Sequence, residues 1–264
     1  MPPSMDDLAD DLAAETAVLR ALVVDLDADG WAAPTPAAGW SVHDQMGHLA
    51  HFDDAAVRSA VEPEAFSAEL AAVLAEGGTD PDEIAARYRG LPPEAVLSWF
   101  DESRTRLLEV FRALDPALRV PWYGPPMSAA SSLTARIMET WAHGQDVADT
   151  VGVTREPTDR LRHVAHIGVR ARPFSYALRG KEPPSTPVRV ELVAPGGGTW
   201  TWGPDDAADR VTGPALDFCL LVTQRRHRDD TALEANGPIA DEWLGIAQAF
   251  AGAPGGGRRA GQFG

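Results

Sequence analysis

The 264-residue chain carries 39 acidic and 23 basic side chains, a formal net charge of −16 at pH 7. Residues 1–150 hold 26 of the acidic and 9 of the basic side chains, which excludes the basic footprint that nucleic-acid binding requires. No apolar run approaches the ~20 residues of a membrane span. Cys219 is the only cysteine, so the chain has no intrachain disulfide. We therefore expect a globular, cytoplasmic protein that binds neither nucleic acid nor membrane.

Helical periodicity dominates the first half of the chain. Ser41, followed by Asp44 three residues later, is typical of a capped helix start. Asp29-Gly30 and Asp115-Pro116 are stop signals. Apolar spacing together with these signals predicts four long helices: residues 5–29, 42–60, 93–114 and 132–149.

The segment 61–90 is predicted to be an insertion between the second and third long helices. It contains two short helical patterns separated by a Gly77-Gly78 break. Residues 117–128 are too rich in proline for a helix and are predicted to form a loop. The expected first domain, residues 1–152, is therefore a four-helix bundle with one insertion.

The second half of the chain changes character after Gly152. Helices are predicted at 157–171, 214–224 and 238–251, and strands at 188–193, 199–202 and 210–212. These elements predict a smaller α/β domain over residues 153–252, followed by a glycine-rich, disordered tail at 253–264. The predicted fold class is α+β.

The strongest chemical signal lies in the fourth long helix. Glu139 and His143 are four residues apart, so a helix places both on one face, where they can share a divalent metal such as zinc. The alternative is an ordinary Glu–His surface pair. A ligand from another helix would decide between them, and His48 on the second helix is the candidate.

Two motifs resemble a known family. The stretch GWSVHDQMGHL, which begins at Gly39, and EXXXHGXD, which begins at Glu139, resemble the N-terminal bundle of mycothiol-dependent maleylpyruvate isomerases, within the DinB-like superfamily of metal-binding bundles. METWAHGQD and VTGPALDFCLLVTQRR are similar to an uncharacterised branch that has a wyosine-base-formation-type C-terminal region.

This resemblance implies a site and an activity. It implies that His48, Glu139 and His143 hold one divalent metal, usually zinc, with a position open for a thiol such as mycothiol. The implied activity is that of a thiol-dependent isomerase or transferase acting on a small electrophilic substrate. Arg225 matches the region of a second-domain arginine that lies near the substrate in these isomerases. Its alternative role is that of a helix-end arginine facing the helix dipole.

The sequence also allows one further site residue and two other functions. Asp146, three residues after His143, can orient an imidazole, or can make a local hydrogen bond at a helix end. No catalytic residue is assigned. The alternatives to a thiol-dependent enzyme are a metal-dependent protein that binds or senses a small ligand without turnover, and metal-assisted hydrolysis.

Overall fold

Two units divide the chain, Met1–Arg155 and Glu156–Gly264. The computed structural model describes residues 3–75 and 80–263, so the predicted Gly77-Gly78 break lies outside the described residues. The elements of the first unit are α1 (Met5–Val23), α2 (Ala28–Ala32), α3 (Val42–Val61), α4 (Pro63–Ala75), α5 (Pro81–Ala86), α6 (Pro93–Arg112), β1 (Arg119–Val120), β2 (Met127–Ser128) and α7 (Ala129–Val151).

The four long helices of the first unit form a bundle. Each of α1 and α3 packs against both α6 and α7, and the short helices α4 and α5 pack against α3. Ser41 caps α3 as predicted, because its hydroxyl accepts from the Asp44 N–H while the Asp44 carboxylate accepts from the Ser41 N–H. Gly152 ends α7 in the left-handed conformation, at φ 71°.

The first predicted helix is shorter than the periodicity suggests. α1 ends at Val23, and the Asp27 carboxylate accepts from the Gly30 N–H to start the separate helix α2. The capping aspartate thus breaks an apolar stripe that continues in the sequence. The predicted 117–128 loop contains the two short antiparallel strands β1 and β2.

The core of the bundle has two apolar clusters with a polar layer between them along the helices. Leu12, Val57, Leu107 and Leu133 belong to one cluster. The other cluster contains Leu19, Leu49, Phe100 and Val147. On each helix, the residues between these positions include buried or partly buried polar side chains: Thr16, Asp53, Arg104, Arg136 and Thr140. The candidate site is built at this polar level.

The second unit combines a small mixed sheet with four helices. Its elements are α8 (Leu161–Arg170), α9 (Arg172–Ala177), β3 (Val188–Val193), β4 (Thr199–Trp202), β5 (Asp209–Pro214), α10 (Ala215–Val222), a 3-10 turn (Arg228–Asp230), β6 (Glu234–Asn236) and α11 (Pro238–Ile246). The strand order is β4-β3-β5-β6, with β3 and β5 parallel and the other pairs antiparallel. The buried Asp209 carboxylate accepts from the Ile239 and Ala240 N–H groups, which caps α11.

The α+β fold class is confirmed, and the domain limits at residues 152 and 252 stay predictions. Residues 253–263 contain neither helix nor strand, and the predicted disorder of the tail also stays a prediction. Among the described residues, no helix is both long and apolar enough to cross a membrane.

Candidate metal centre

Three side chains from two helices meet in the first unit. His48 comes from α3, and Glu139 and His143 lie one turn apart on α7. Glu139 Oε2 lies 3.1 Å from His143 Nε2 and 3.8 Å from His48 Nε2. One candidate ligand atom from each residue lies within 4.8 Å of the others. The structure therefore brings together the three residues that the sequence singled out.

The two imidazoles are more buried than the third side chain of the cluster. The side chains of His48 and His143 are 10% and 11% exposed, whereas that of Glu139 is 23% exposed.

Aromatic rings cover the imidazoles. The Trp40 ring stacks on His143 at 5.8 Å and meets His48 edge-on at 5.1 Å. Phe52 packs against His48 on α3 with the ring centroids 4.6 Å apart. The Trp40 indole N–H donates to Asp82 Oδ1 at 2.6 Å, which ties the cover to α5. The buried Trp40 therefore covers both imidazoles with its ring.

Gln45 is the functional candidate that the sequence reasoning missed. Its side chain is fully buried, and its Oε1 contacts His143 Nδ1. The available signal was its position three residues before His48, which places both on one face of α3.

A buried ionic cluster lies next to the candidate ligands. Both oxygens of Asp53 are bonded, Oδ2 to Arg104 Nε at 2.7 Å and Oδ1 to Arg136 Nε at 2.9 Å. Two guanidinium groups around one carboxylate leave one net positive charge in the bundle core. Arg136 lies three residues before Glu139, so this charge is close to the candidate ligands. Sequence patterning missed this cluster because single charged residues on a helix usually face water.

Local electrostatics keeps the cluster in the form that accepts a cation. Burial, with smaller contributions from the neighbouring His143 and Arg136, lowers the pKa of His48 to about 3 against the opposing effect of Glu139. Burial alone would raise the pKa of Glu139, but the neighbouring imidazoles of His143 and His48 hold it well below its ordinary value. At neutral pH, His48 is therefore neutral and Glu139 is ionised.

This donor set fits a divalent cation. Two imidazole nitrogens and a carboxylate oxygen are ligands that zinc and similar ions accept. Three protein ligands leave a coordination position open, as in catalytic zinc sites. His51, one turn after His48, instead pairs its Nδ1 with the Tyr88 hydroxyl at 2.8 Å and does not belong to the cluster.

A family model described as the mycothiol maleylpyruvate isomerase N-terminal domain matches residues 12–148, which include all three residues of the cluster. The chain belongs to this mycothiol maleylpyruvate isomerase family. The resemblance predicted from the two motifs is thereby confirmed. A second model, described as wyosine base formation, matches residues 184–236 of this family member.

The chain is also similar, over most of its length, to a curated relative and to solved structures. An uncharacterised protein of Mycobacterium tuberculosis, present in two strains, is 48% identical over 248 residues, which cover 94% of this chain and 96% of the relative. Crystal structures of a mycothiol-dependent maleylpyruvate isomerase and of its histidine-to-alanine mutant match with TM-scores of 0.58 at 16% identity, covering 88% of this chain and 93% of theirs. These structures confirm the DinB-like fold of the family member.

The remaining predicted site residues lie on other elements or further along α7. Asp146 is fully buried on α7, and its predicted role in orienting an imidazole stays a prediction. Arg225 follows α10 in the second unit, where its Nη1 donates to the Thr223 carbonyl at 2.6 Å. Its role in substrate binding is likewise still a prediction.

Proposed function

We propose that the chain binds one divalent metal ion, most simply zinc, through His48, Glu139 and His143, and that it is a thiol-dependent isomerase or transferase for a small electrophilic substrate. The proposal includes mycothiol as the thiol and a cytoplasmic location. The observation that supports it most is the convergence of three cation-accepting side chains from α3 and α7.

The proposed chemistry divides between the metal and the side chains. When bound, a metal ion with an open position would favour the thiolate form of a small thiol, which is the nucleophilic form. His48, Glu139 and His143 would hold the ion, and Trp40 and Phe52 would keep water from the buried side. Arg225 would bind an anionic group of the substrate.

Metal content of the purified protein tests the ligand assignment. We expect about one metal ion per chain by elemental analysis, and loss of that ion in His48→Ala and in His143→Ala. His51→Ala is the matched control, because His51 lies on the same helix and bonds Tyr88 rather than the cluster. Full metal retention in both ligand variants would overturn the assignment.

Turnover is tested separately from metal binding. The metal-loaded protein is incubated with small electrophilic alkenes, including maleylpyruvate, with and without mycothiol, and substrate loss is followed. We expect consumption only when thiol and metal are both present, and reduced turnover in Arg225→Ala without loss of metal. Stoichiometric thiol binding with no substrate consumed would contradict the enzyme and support the alternative, a protein that binds or senses a small ligand.

A further inference from the structure

A chain of hydrogen bonds connects the backbone before α3 to one of the proposed ligands. The Trp40 carbonyl accepts from the Thr35 N–H at 2.7 Å and from the Thr35 hydroxyl at 2.8 Å. The other oxygen near that hydroxyl, the Ala37 carbonyl at 3.5 Å, can also only accept. The proton of the Thr35 hydroxyl is therefore directed at a backbone carbonyl, and its oxygen is left as an acceptor.

The next bond fixes the orientation of the Gln45 side-chain amide. Gln45 Nε2 lies 2.9 Å from Thr35 Oγ1 and donates to it. If the amide were flipped, its oxygen would face a hydroxyl whose proton is already used, and the NH₂ group would face His143. Both Gln45 and Thr35 are at least nine-tenths buried, so water does not offer a substitute partner at low cost.

The orientation of Gln45 determines where His143 carries its proton. An amide oxygen only accepts, so Nδ1 of His143, which faces Gln45 Oε1, must donate. The neutral ring then has a lone pair on Nε2, directed toward the ionised Glu139 oxygen 3.1 Å away. Two such acceptors at this distance are joined by a cation, which is either a second ring proton on Nε2 or a metal ion bound to both atoms.

We propose that Thr35 and Gln45 are positioning residues that fix the Nδ1–H tautomer of His143, so that its Nε2 is available to a metal ion. This inference rests on the metal site proposed above. The tight turn before α3 makes this arrangement possible. Gly39, at φ 82°, lets the chain reverse between Thr35 and Trp40, and Pro34 and Ser41 form a β-bridge. The connector between α2 and α3 thus contributes two residues to the site. Trp40 covers His143 with its ring, and Thr35 acts through Gln45 on the position of the His143 proton.

The ring of His48 lacks the kind of contact that Gln45 makes with His143. Its Nδ1 is buried and has no hydrogen-bond partner among the described residues, so no contact of this kind holds a proton on that nitrogen. We therefore expect the two imidazoles to respond differently to substitution of their surroundings.

Zinc affinity and nitrogen NMR together test the role of Gln45. In Gln45→Met, which keeps the length of the side chain and removes the acceptor, we expect zinc affinity to fall about 10–100-fold. Gln45→Glu restores an acceptor oxygen and should recover most of this loss, and Thr35→Val should give a smaller loss than Gln45→Met. Gln145→Met is the matched control, because Gln145 is also buried in the bundle but bonds Asp149. Unchanged affinity in Gln45→Met would overturn the proposal.

The side-chain nitrogen spectrum of His143 separates this inference from the metal site itself. In metal-free protein at a pH where the ring is neutral, we expect a protonated Nδ1 in the wild type and a shift toward Nε2–H in Gln45→Met. An unprotonated Nδ1 in the wild type would refute the inference even if zinc binds. Should the wild type bind no zinc, the proposed function fails, and this spectrum still decides the tautomer.

Discussion

Two polar clusters lie at the same level of the bundle and differ in how their charges are matched. In the ionic cluster of Asp53, Arg104 and Arg136, both carboxylate oxygens are bonded, and all three nitrogens of Arg104 contact oxygens, including those of Thr16 and Thr140. In the candidate metal centre, cation-accepting atoms face one another, and His48 Nδ1 has no hydrogen-bond partner among the described residues. The first cluster satisfies its polar atoms with its own side chains and carries one net positive charge, whereas the second places two imidazole nitrogens beside the ionised Glu139. We therefore assign a structural role to the first cluster and keep the functional proposal for the second.

Breaking the complete cluster should have the largest effect on stability. Asp53→Asn removes the only carboxylate between two buried guanidinium groups, and we expect the free energy of unfolding to fall by about 3–5 kcal/mol. Urea unfolding of the metal-free protein measures this loss. Asp101→Asn, which removes the exposed partner of Arg20, is the control and should cost less than about 1 kcal/mol. Equal losses in the two variants would contradict the assignment of Asp53 as a structural charge.

Zinc binding at the second cluster should stabilise the fold. With free zinc at 100 times its dissociation constant, we expect the free energy of unfolding of the wild type to rise by about 2.7 kcal/mol, because the folded state alone offers the three ligands. Urea unfolding with and without zinc measures the difference. Glu139→Gln should show little of this gain, and His51→Ala should keep it. An equal gain in Glu139→Gln would place the zinc elsewhere.

Substitution of Trp40, which covers the second cluster, should give the smallest change in the free energy of unfolding. Trp40→Phe keeps an aromatic ring but loses the indole donor to Asp82, so we expect a cost of about 0.5–1.5 kcal/mol in the free energy of unfolding. Thermal unfolding checks this value, and zinc affinity should change by less than about threefold. If Trp40→Phe lost as much zinc affinity as His143→Ala, metal binding would depend on the indole specifically, and an aromatic ring at this position would not be enough.

The sequence predicted the long helices and the Glu139–His143 pair because these depend on local spacing. Apolar periodicity located α3, α6 and α7, and the spacing of Glu139 and His143 requires only a helix. The ends of elements were less predictable: Asp27 separated α2 from α1, and α8 begins at Leu161 rather than at 157. The start of α2 depends on the single capping contact of Asp27, whereas α8 begins without a side-chain cap.

The partners of the cluster were not predictable from spacing. Gln45 contacts His143 across 98 residues of sequence, and Asp53 contacts Arg136 across 83, so neither pair has a local pattern. Charged and amide side chains on helices usually face solvent, and only the packing of the four helices turned these inward. No local pattern links His48 to α7 either, because the distance between them is set by tertiary structure. The family resemblance is what assigned His48 to the site.

X-ray absorption at the zinc edge of the metal-loaded protein tests the central claim most directly. The account predicts two imidazole nitrogens at about 2.0–2.1 Å, a carboxylate oxygen at a similar distance, and one exchangeable ligand in a four-coordinate site. In the spectrum of His48→Ala, we expect the contribution of one imidazole to be lost. A spectrum of oxygen ligands without imidazole, unchanged in that variant, would contradict the account.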